Sequence, residues 1–283
     1  MTREERVGVF LETIAVCKQG AYSTKDGHIV MIPLCKPQSK FYKEKIDLDY
    51  SKFENHLDEI ISVEKIDCLD LAKAYKDQGL NLAVLNMANQ YMPGGGVLHG
   101  SGAQEENVFR RTTLFETLYQ YHDISKDFDI ERDKDNSYPM DDNYGGIYSK
   151  NVIVFRKSEC DGYEPLDNPY MVDFISVAAI KDPKTNEDGT LLDFQKDIEK
   201  NKIRTILNIA LDNGNDALVL GALGCGAFRT PPTEMAKCFK EVLNEDEFKY
   251  KFKRIGFAIL DDKNAYKEHN PNGNYKPFKD IFN

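Results

Sequence analysis

The chain has 283 residues, of which 41% are hydrophobic and 30% charged, a composition that excludes a disordered or fibrous protein. Its formal net charge of -10 opposes non-specific binding to a nucleic-acid backbone, which normally requires a basic surface. An anionic ligand is still compatible with this charge, because backbone N–H groups and helix N-termini bind phosphate without lysine or arginine.

The cysteines are scattered and form no Cys-x-x-Cys pair, so neither a zinc site nor a disulfide framework is indicated. They are Cys17, Cys35, Cys68, Cys160, Cys225 and Cys238. The N-terminus does not read as a signal peptide, and no stretch approaches the length of a membrane span. We therefore expect a cytoplasmic monomer that needs no metal and no cofactor.

The first predicted element is a helix. Thr2 and Glu5 form a capping-box pattern, apolar residues follow at helical spacing, and Gly20 supplies a stop. Residues 21–63 are mixed and polar, and the weak strand signal at 28–34 is the clearest one among them.

The next segments have sharper patterns. Leu82–Leu85 is a short apolar run typical of a buried parallel strand. Ser101 and Gln104 suggest a second capping box, which would open one helix. The apolar face of that helix would carry Val108, Phe109, Phe115, Leu118 and Tyr119.

Strands and helices alternate in the rest of the chain. Further strands are predicted at Val152–Phe155, Phe174–Ile180, Ala217–Leu220 and Ile255–Leu260, with helices ending before Gly214 and beginning at Pro231. This alternation predicts an α/β layered fold with a mainly parallel sheet. Ligands of such folds bind at the carboxyl ends of the strands, where both glycine-rich segments of this chain are expected to share one cleft.

The first glycine-rich segment follows the strand at Leu82–Leu85. Three consecutive glycines, Gly94–Gly96, precede a helix that starts with Glu105 and Glu106. Glycines let the backbone approach a ligand closely, and N–H groups at a helix start can hold a diphosphate. The alternative is a flexible loop before a helix whose glutamates only complement the helix dipole.

The second glycine-rich segment reads LGALGCGAFRTPP over 220–232. Gly224, Cys225 and Gly226 can form another phosphate-facing loop, and Phe228 can stack on a ribose or a base. The alternative is an ordinary strand-to-helix turn with Phe228 in the core.

Together the two segments resemble the bacterial-type poly(ADP-ribose) glycohydrolases, whose catalytic domain is a variant of the macrodomain. The signature of that family is three glycines, a spacer, and then Gln-Glu-Glu, which here is Gly94–Gly96 followed by Gln104, Glu105 and Glu106. The resemblance implies a three-layer α/β/α fold with a mixed, mainly parallel central sheet and an N-terminal helical extension. It suggests one domain over 1–283, with residues 1–75 as the extension and 76–265 as the core.

The resemblance also implies hydrolysis of the ribose–ribose O-glycosidic bond of poly(ADP-ribose), which releases ADP-ribose. It implies that Glu106 is the general acid, that Glu105 helps to hold the ribose hydroxyls, and that Asn89 contacts the distal ribose. The implied substrate-binding residues are Asn89, Gly94, Gly95, Gly96, Val97, Gln104, Gly224, Cys225, Gly226, Ala227 and Phe228.

Elementary chemistry constrains this mechanism. Glycosidases usually place two carboxylates about 5–9 Å apart on opposite sides of the bond, which is not expected of the sequence neighbours Glu105 and Glu106. One acid and a water ordered by the diphosphate of the substrate fit better. The helix start favours an ionised Glu106, whereas burial, Glu105 and the diphosphate favour the protonated form. The sequence alone does not determine which of these effects is larger.

Two alternatives remain from the residues alone: hydrolysis of another ADP-ribosyl linkage, on protein or nucleic acid, and a non-catalytic ADP-ribose-binding module.

His99 is expected to face solvent and Arg110 to make ion pairs on the helix surface. Asp261 is expected in a turn, and Cys225 has no histidine placed to activate it. The chain departs from the family pattern at Ile180, where a proline is expected, and at Gln90.

Overall fold

The computed structural model describes residues 1–32 and 38–282 of the chain, which divides into two units. Unit 1 comprises 1–41, 88–139 and 147–174, and unit 2 comprises 42–87, 140–146 and 175–283. The predicted division into an extension, 1–75, and a core, 76–265, stays a prediction. Among the described residues, no helix has the length and apolarity that crossing a lipid bilayer requires.

Helices and strands alternate along the described chain. The helices are α1 Arg3–Gln19, α2 Cys68–Asp77, α3 Gln104–Arg111, α4 Leu114–Tyr119, α5 Asp193–Asp212, α6 Pro232–Leu243 and α7 Tyr275–Phe282. The strands are β1 Ala21–Ser23, β2 Ile29–Met31, β3 Gln38–Tyr42, β4 Ile60–Glu64, β5 Leu82–Met87, β6 Gly146–Arg156, β7 Pro165–Val177, β8 Ala217–Leu220 and β9 Arg254–Ala258.

Unit 2 contains a parallel arrangement of strands in the order β5-β8-β9-β4. Ala217 of β8 pairs with Leu82 on one side and with Arg254 on the other, and Ile60 continues the ladder beyond β9. All residues of β8 are buried, which explains its uninterrupted apolar sequence. The predicted α/β class with a mainly parallel sheet is confirmed.

An aromatic cluster in each unit joins its helices to the rest of the core. In unit 1, the ring of Phe10 on α1 lies 6.2 Å from that of Phe109 on α3 and 5.9 Å from that of Phe115 on α4. In unit 2, Phe257 of β9 lies 5.1 Å from Phe239 of α6. Such contacts bury large apolar areas and fix the helices on which they occur.

The first helix begins and ends as predicted. The Glu5 carboxylate accepts the backbone N–H of Thr2 at 2.6 Å, and the Thr2 hydroxyl accepts the N–H of Glu5 at 3.2 Å. Gly20 ends the helix with φ of 73°, and its N–H donates to the Val16 carbonyl. This left-handed conformation favours glycine at the helix end.

The single helix predicted after Ser101 is wrong, because two helices occupy that stretch. Thr112 is extended, with φ of -142°, and forms an isolated antiparallel bridge with Val154. The Thr112 hydroxyl donates to the Val108 carbonyl and accepts the N–H of Leu114, so it closes α3 and opens α4. The apolar spacing continues across this break, and the sequence pattern therefore hides it.

Several strand ends differ from the sequence expectation. β7 ends at Val177 rather than at Ile180, and β9 ends at Ala258 rather than at Leu260. The elements β4, α2 and α7 were not predicted at all. β2 accounts for part of the weak signal at 28–34, whose residues 33 and 34 lie outside the described residues, as does Cys35.

Glu199 is an acid buried within α5. Its side chain is fully buried, and its Oε1 accepts the backbone N–H of Ile180 at 2.9 Å. Its Oε2 has no hydrogen-bond partner among the described residues. Burial raises the pKa of Glu199 to about 7, against the opposing effects of the Ile180 N–H and of Lys202. Because a buried carboxylate is costly, the folded protein favours the neutral acid.

The raised pKa of Glu199 predicts a pH-dependent loss of stability. The folded pKa of about 7 lies above the ordinary value of 4.5, so between these values the folded state binds more protons. The free energy of unfolding therefore falls as pH rises through that window. We expect Glu199→Gln to gain stability relative to wild type as pH rises, by at most about 3 kcal/mol.

Urea unfolding of both proteins at about pH 5 and about pH 8 measures this difference. Glu59 and Glu116, whose pKa values burial also raises to about 7, are present in both proteins and cancel in the comparison. A stability difference that is the same at both pH values would contradict the prediction.

Candidate active site

Glu105 ties the first glycine-rich loop of unit 1 together. Its Oε2 accepts the backbone N–H of Asn89 at 2.8 Å, and its Oε1 accepts the N–H of Gly94 at 3.0 Å. The side chain is buried, with the residue only 4% exposed. Hydrogen bonds from backbone N–H groups to a carboxylate are short and strong, so Glu105 fixes both ends of this turn.

Glu106 makes a second pair of contacts of the same kind. Its Oε1 accepts the N–H of Gly96 at 2.9 Å, and its Oε2 accepts the N–H of Ala103 at 2.9 Å. A carboxylate has about four lone-pair positions, so one acceptor position on each oxygen is left for a proton or a substrate. The two contacts fix the position of the carboxyl group and still leave each oxygen able to bind a proton or a substrate atom.

The Ala103 contact corrects the predicted helix start. The N-cap of α3 is Ala103 rather than Ser101, and the helix begins at Gln104. Alanine has no side-chain acceptor, so the cap is one-sided: the third helical residue, Glu106, reaches back to the N–H of Ala103. The residue expected to be catalytic therefore also caps its own helix.

Gly95 lies beside both carboxyl groups. Its φ is +53°, and a Cβ atom placed on it would lie 2.7 Å from Glu106 Oε1 and 3.1 Å from Glu105 Oε2. Either distance would force a side chain to move. Glycine is thus required here both for its backbone conformation and for the space that the two acids occupy.

The loop uses the N–H groups of its glycine run internally. In addition to the bonds from Gly94 and Gly96, the Gly95 N–H donates to the Met92 carbonyl and the Val97 N–H donates to the Gly94 carbonyl, each at 3.0 Å. These N–H groups therefore already have acceptors within the loop, and their predicted contact with a substrate stays a prediction. The run contributes a close approach of the backbone and a fixed position for the two acids.

Asn89 forms a turn with its own side chain. Its Oδ1 accepts the N–H groups of Tyr91 at 2.9 Å and of Met92 at 3.1 Å. Its Nδ2 donates no hydrogen bond within the part of the chain that the structure describes. The amide is thus held by its oxygen with its donor group available to a ligand.

Arg110 is buried rather than on the helix surface, so the predicted surface ion pair is wrong. The residue is 0% exposed, and its guanidinium donates to the carbonyls of Arg6 and Ser101 and, at 3.4 Å, to the Tyr163 hydroxyl. It thereby connects α1 to the loop that precedes α3. The guanidinium of Arg6 itself pairs with Glu159 at 2.6 Å.

The second glycine-rich loop, in unit 2, leaves successive N–H groups unused. Gly224 has φ of +74°, and its carbonyl accepts the Thr230 N–H at 3.0 Å. Within the described residues, the N–H groups of Gly226, Ala227 and Phe228 donate no hydrogen bond. Adjacent unpaired N–H groups in a glycine-rich turn form an anion-binding nest.

The side chains of this loop have different environments. Burial raises the pKa of the Cys225 thiol well above its ordinary value, and the residue is 0% exposed. Nucleophilic chemistry requires a thiolate, so a catalytic role for this cysteine is not supported. Phe228 is half-buried, and its carbonyl accepts the N–H of Asp182 at 2.8 Å.

His99 and Asp261 are the remaining residues that the sequence singled out. His99 is exposed. Asp261 lies in an irregular segment after β9, just before the turn residues that begin at 263, and its Oδ1 accepts the N–H groups of Asn274 at 2.6 Å and of Tyr275 at 3.2 Å. Sequence reasoning missed the segment that follows, although its Asn-Pro-Asn-Gly sequence at 270–273 is a strong turn signal.

Known structures share this fold. The poly(ADP-ribose) glycohydrolase of Thermomonospora curvata, bound to the inhibitor ADP-HPD, is 26% identical, with a TM-score of 0.74 over 99% of this chain and 98% of the other. The structure of the same enzyme without a stated ligand gives a TM-score of 0.75 over 99% and 100%. The enzyme of Deinococcus radiodurans with ADP-ribose is 27% identical, with a TM-score of 0.58 over 79% and 82%.

A comparison with curated proteins found no match. The family model described as "Microbial-type PARG, catalytic domain" matches residues 11–157, which include the first glycine-rich loop, Glu105 and Glu106. The chain belongs to this family, the microbial-type poly(ADP-ribose) glycohydrolases. The predicted resemblance and the predicted glycosidase activity on poly(ADP-ribose) are confirmed.

The position of Gly95 predicts a separation between stability and activity. Gly95→Ala and Gly162→Ala both place a side chain at positive φ, which costs about 1–2 kcal/mol of unfolding free energy. Only the first meets the two carboxylates, because no atom of the described residues lies within 4 Å of a Cβ at Gly162. We expect about a 100-fold loss of turnover for Gly95→Ala, the cost of displacing a catalytic group by about 1 Å.

Denaturant unfolding and release of ADP-ribose from the polymer measure the two effects. Gly162→Ala is the matched control, because it carries the backbone strain without the contact and should keep its turnover. Equal turnover of the two variants would show that the acids are not placed against Gly95.

Proposed function

We propose that Glu106 is the general acid with which this glycosidase cleaves the ribose–ribose bond of poly(ADP-ribose). The observation that carries the proposal is the double backbone contact of its carboxyl group, from Gly96 and Ala103. These contacts fix the group beside Gly95 and leave a lone-pair position on each oxygen. A general acid must be held within hydrogen-bonding reach of the atom that it protonates.

The proposed reaction proceeds by proton transfer to the leaving group. Glu106 donates its proton to the glycosidic oxygen of the departing ribose, and the C1–O bond breaks to give an oxocarbenium-like centre. Water adds to that centre, and the proton that the water loses returns to the Glu106 carboxylate. The products are free ADP-ribose and a polymer shorter by one unit.

Glu105 supports this arrangement as its neighbour. Both of its oxygens accept loop N–H groups, and its charge, after burial, contributes to the raised pKa of the Tyr119 and Tyr138 phenols. Its carboxylate therefore lies near the aromatic interior of unit 1. We propose that it holds the loop and, through the loop, Asn89, which would contact the distal ribose.

The diphosphate is assigned to the second loop. The unpaired N–H groups of Gly226, Ala227 and Phe228 offer the donors that a diphosphate needs, and Gly224 and Cys225 shape the turn. The chain carries a net charge of -10, so a surface rich in cations is not available to bind the diphosphate. Backbone N–H donors can bind it without such a surface. The substrate's own diphosphate would order the attacking water and stabilise the positive transition state.

We also propose that the protein acts as a cytoplasmic monomer on ADP-ribosylated macromolecules. The free thiols of Cys17, Cys225 and Cys238 are buried, and Cys160 is exposed. Unpaired cysteines persist most readily in a reducing compartment.

Replacement of the acid should remove the chemical step. We expect Glu106→Gln to lower kcat on poly(ADP-ribose) by about 100- to 10,000-fold, the usual contribution of general acid catalysis. The amide NH₂ must face the N–H of Gly96 or that of Ala103, so one hydrogen bond is lost, at a cost of about 1 kcal/mol of stability. Release of ADP-ribose at saturating polymer and chemical unfolding give the two values.

A substrate with a better leaving group distinguishes a loss of proton donation from a loss of active-site structure. An ADP-ribosyl nitrophenol ether releases a phenolate that departs without a proton, so Glu106→Gln should hydrolyse it nearly as fast as wild type. A parallel titration with ADP-ribose verifies that the variant still binds ligand. Equal losses on both substrates would refute the acid assignment and make Glu106 a purely structural residue.

A further inference from the structure

The carbonyl oxygen of Cys225 accepts two side-chain hydrogen bonds from one segment near the C-terminus. His269 Nε2 lies 3.0 Å from it, and Asn270 Nδ2 lies 3.3 Å from it. A carbonyl can only accept, so Nε2 of His269 carries a proton. His269 engages one lone pair of this oxygen. The Asn270 amide shares its two hydrogens among the Cys225 carbonyl, the Asn264 carbonyl at 2.9 Å and Asn274 Oδ1 at 2.8 Å, so its contact with Cys225 is the longest of the three.

This carbonyl belongs to the same peptide unit as the N–H of Gly226, the first unpaired donor of the second loop. The peptide is planar, so whatever fixes the direction of the carbonyl also fixes the direction of that N–H. Gly226, which flanks this unit on one side, permits it to rotate more freely than another residue would. Two donors on the oxygen remove that freedom and polarise the N–H toward an anion.

Asn270 is itself rigidly held. It is 1% exposed, its Oδ1 accepts the N–H of Lys267 at 2.8 Å, and its Nδ2 lies 2.8 Å from Asn274 Oδ1. Asn274 in turn donates its N–H to Asp261, three residues after β9. A chain of hydrogen bonds thus leads from the end of a core strand to the Cys225 carbonyl.

We propose that Asn270 and His269 are positioning residues that orient the Cys225–Gly226 peptide for binding of the substrate diphosphate. The inference rests on the proposed function, in which the second loop binds that diphosphate. It gives the segment after Asp262, for which the sequence suggested no role, a part in substrate recognition. A preorganised donor binds an anion more tightly because its orientation is fixed before the ligand arrives.

The test compares the affinity of purified variants for ADP-ribose and for ADP by titration calorimetry. His269→Ala removes one donor, and we expect it to weaken both ligands by about 2- to 10-fold, the value of one hydrogen bond. Asn270→Ala should weaken both ligands further, because it also detaches the loop from Asn274. His269→Gln keeps a donor at the position of Nε2 and should restore affinity, which a merely structural role would not predict.

Asn272→Ala is the matched control, since Asn272 belongs to the same segment and is exposed. Thermal unfolding identifies any variant that fails to fold. If Asn270→Ala fails to fold, His269→Ala still decides the test, because His269 is only half-buried. Failure of the wild type to bind ADP-ribose would overturn the proposed function. Wild-type binding with unchanged affinity in folded His269→Ala and Asn270→Ala would overturn the positioning role alone.

Discussion

Four backbone N–H groups of one loop converge on two adjacent carboxylates, and the architecture of the first glycine-rich segment depends on this arrangement. Glu105 holds Asn89 and Gly94, and Glu106 holds Gly96 and Ala103. Buried carboxylates are unfavourable unless they are hydrogen-bonded, and buried N–H groups are equally costly without acceptors. Each set satisfies the other, so the loop conformation and the acid positions are determined together.

The two glycine-rich loops use their backbones in different ways. The first donates the N–H groups of Gly94–Val97 internally and so serves as a rigid support for its acids. The second leaves the N–H groups at 226–228 unpaired within the described residues. This division fits the proposed roles, in which the first segment positions the acid and the second binds the diphosphate.

The sequence predicted those features that local patterns determine. The buried run at β8 and the capping box of α1 were located correctly because each depends on neighbouring residues alone. The break at Thr112 was not predictable, because it depends on a bridge to Val154, distant in sequence. The burial of Arg110 depends in the same way on the carbonyl of Arg6 and on Tyr163. The helical spacing of apolar residues does not indicate such distant partners.

The site followed the same rule. The motif located Glu105, Glu106 and both glycine runs, but the acceptors and donors around them come from the three-dimensional arrangement. Ala103 was not recognisable as an N-cap, because it offers no side-chain oxygen and Glu106 supplies the contact instead. His269 and Asn270 lie more than forty residues after Cys225, so only the folded chain brings them to its carbonyl.

The helix-capping contact of Glu106 bears on how such a protein can evolve. In many enzymes the reactive group is a burden on the fold, and its loss makes the protein sturdier while it ends catalysis. Here the carboxyl group of the proposed acid caps its helix and accepts an N–H of the loop, so its replacement, even by Gln, removes a hydrogen bond from the fold. Conversion into a protein that binds ADP-ribose without cleaving it, by Glu106→Gln, would therefore cost about 1 kcal/mol of stability rather than add to it.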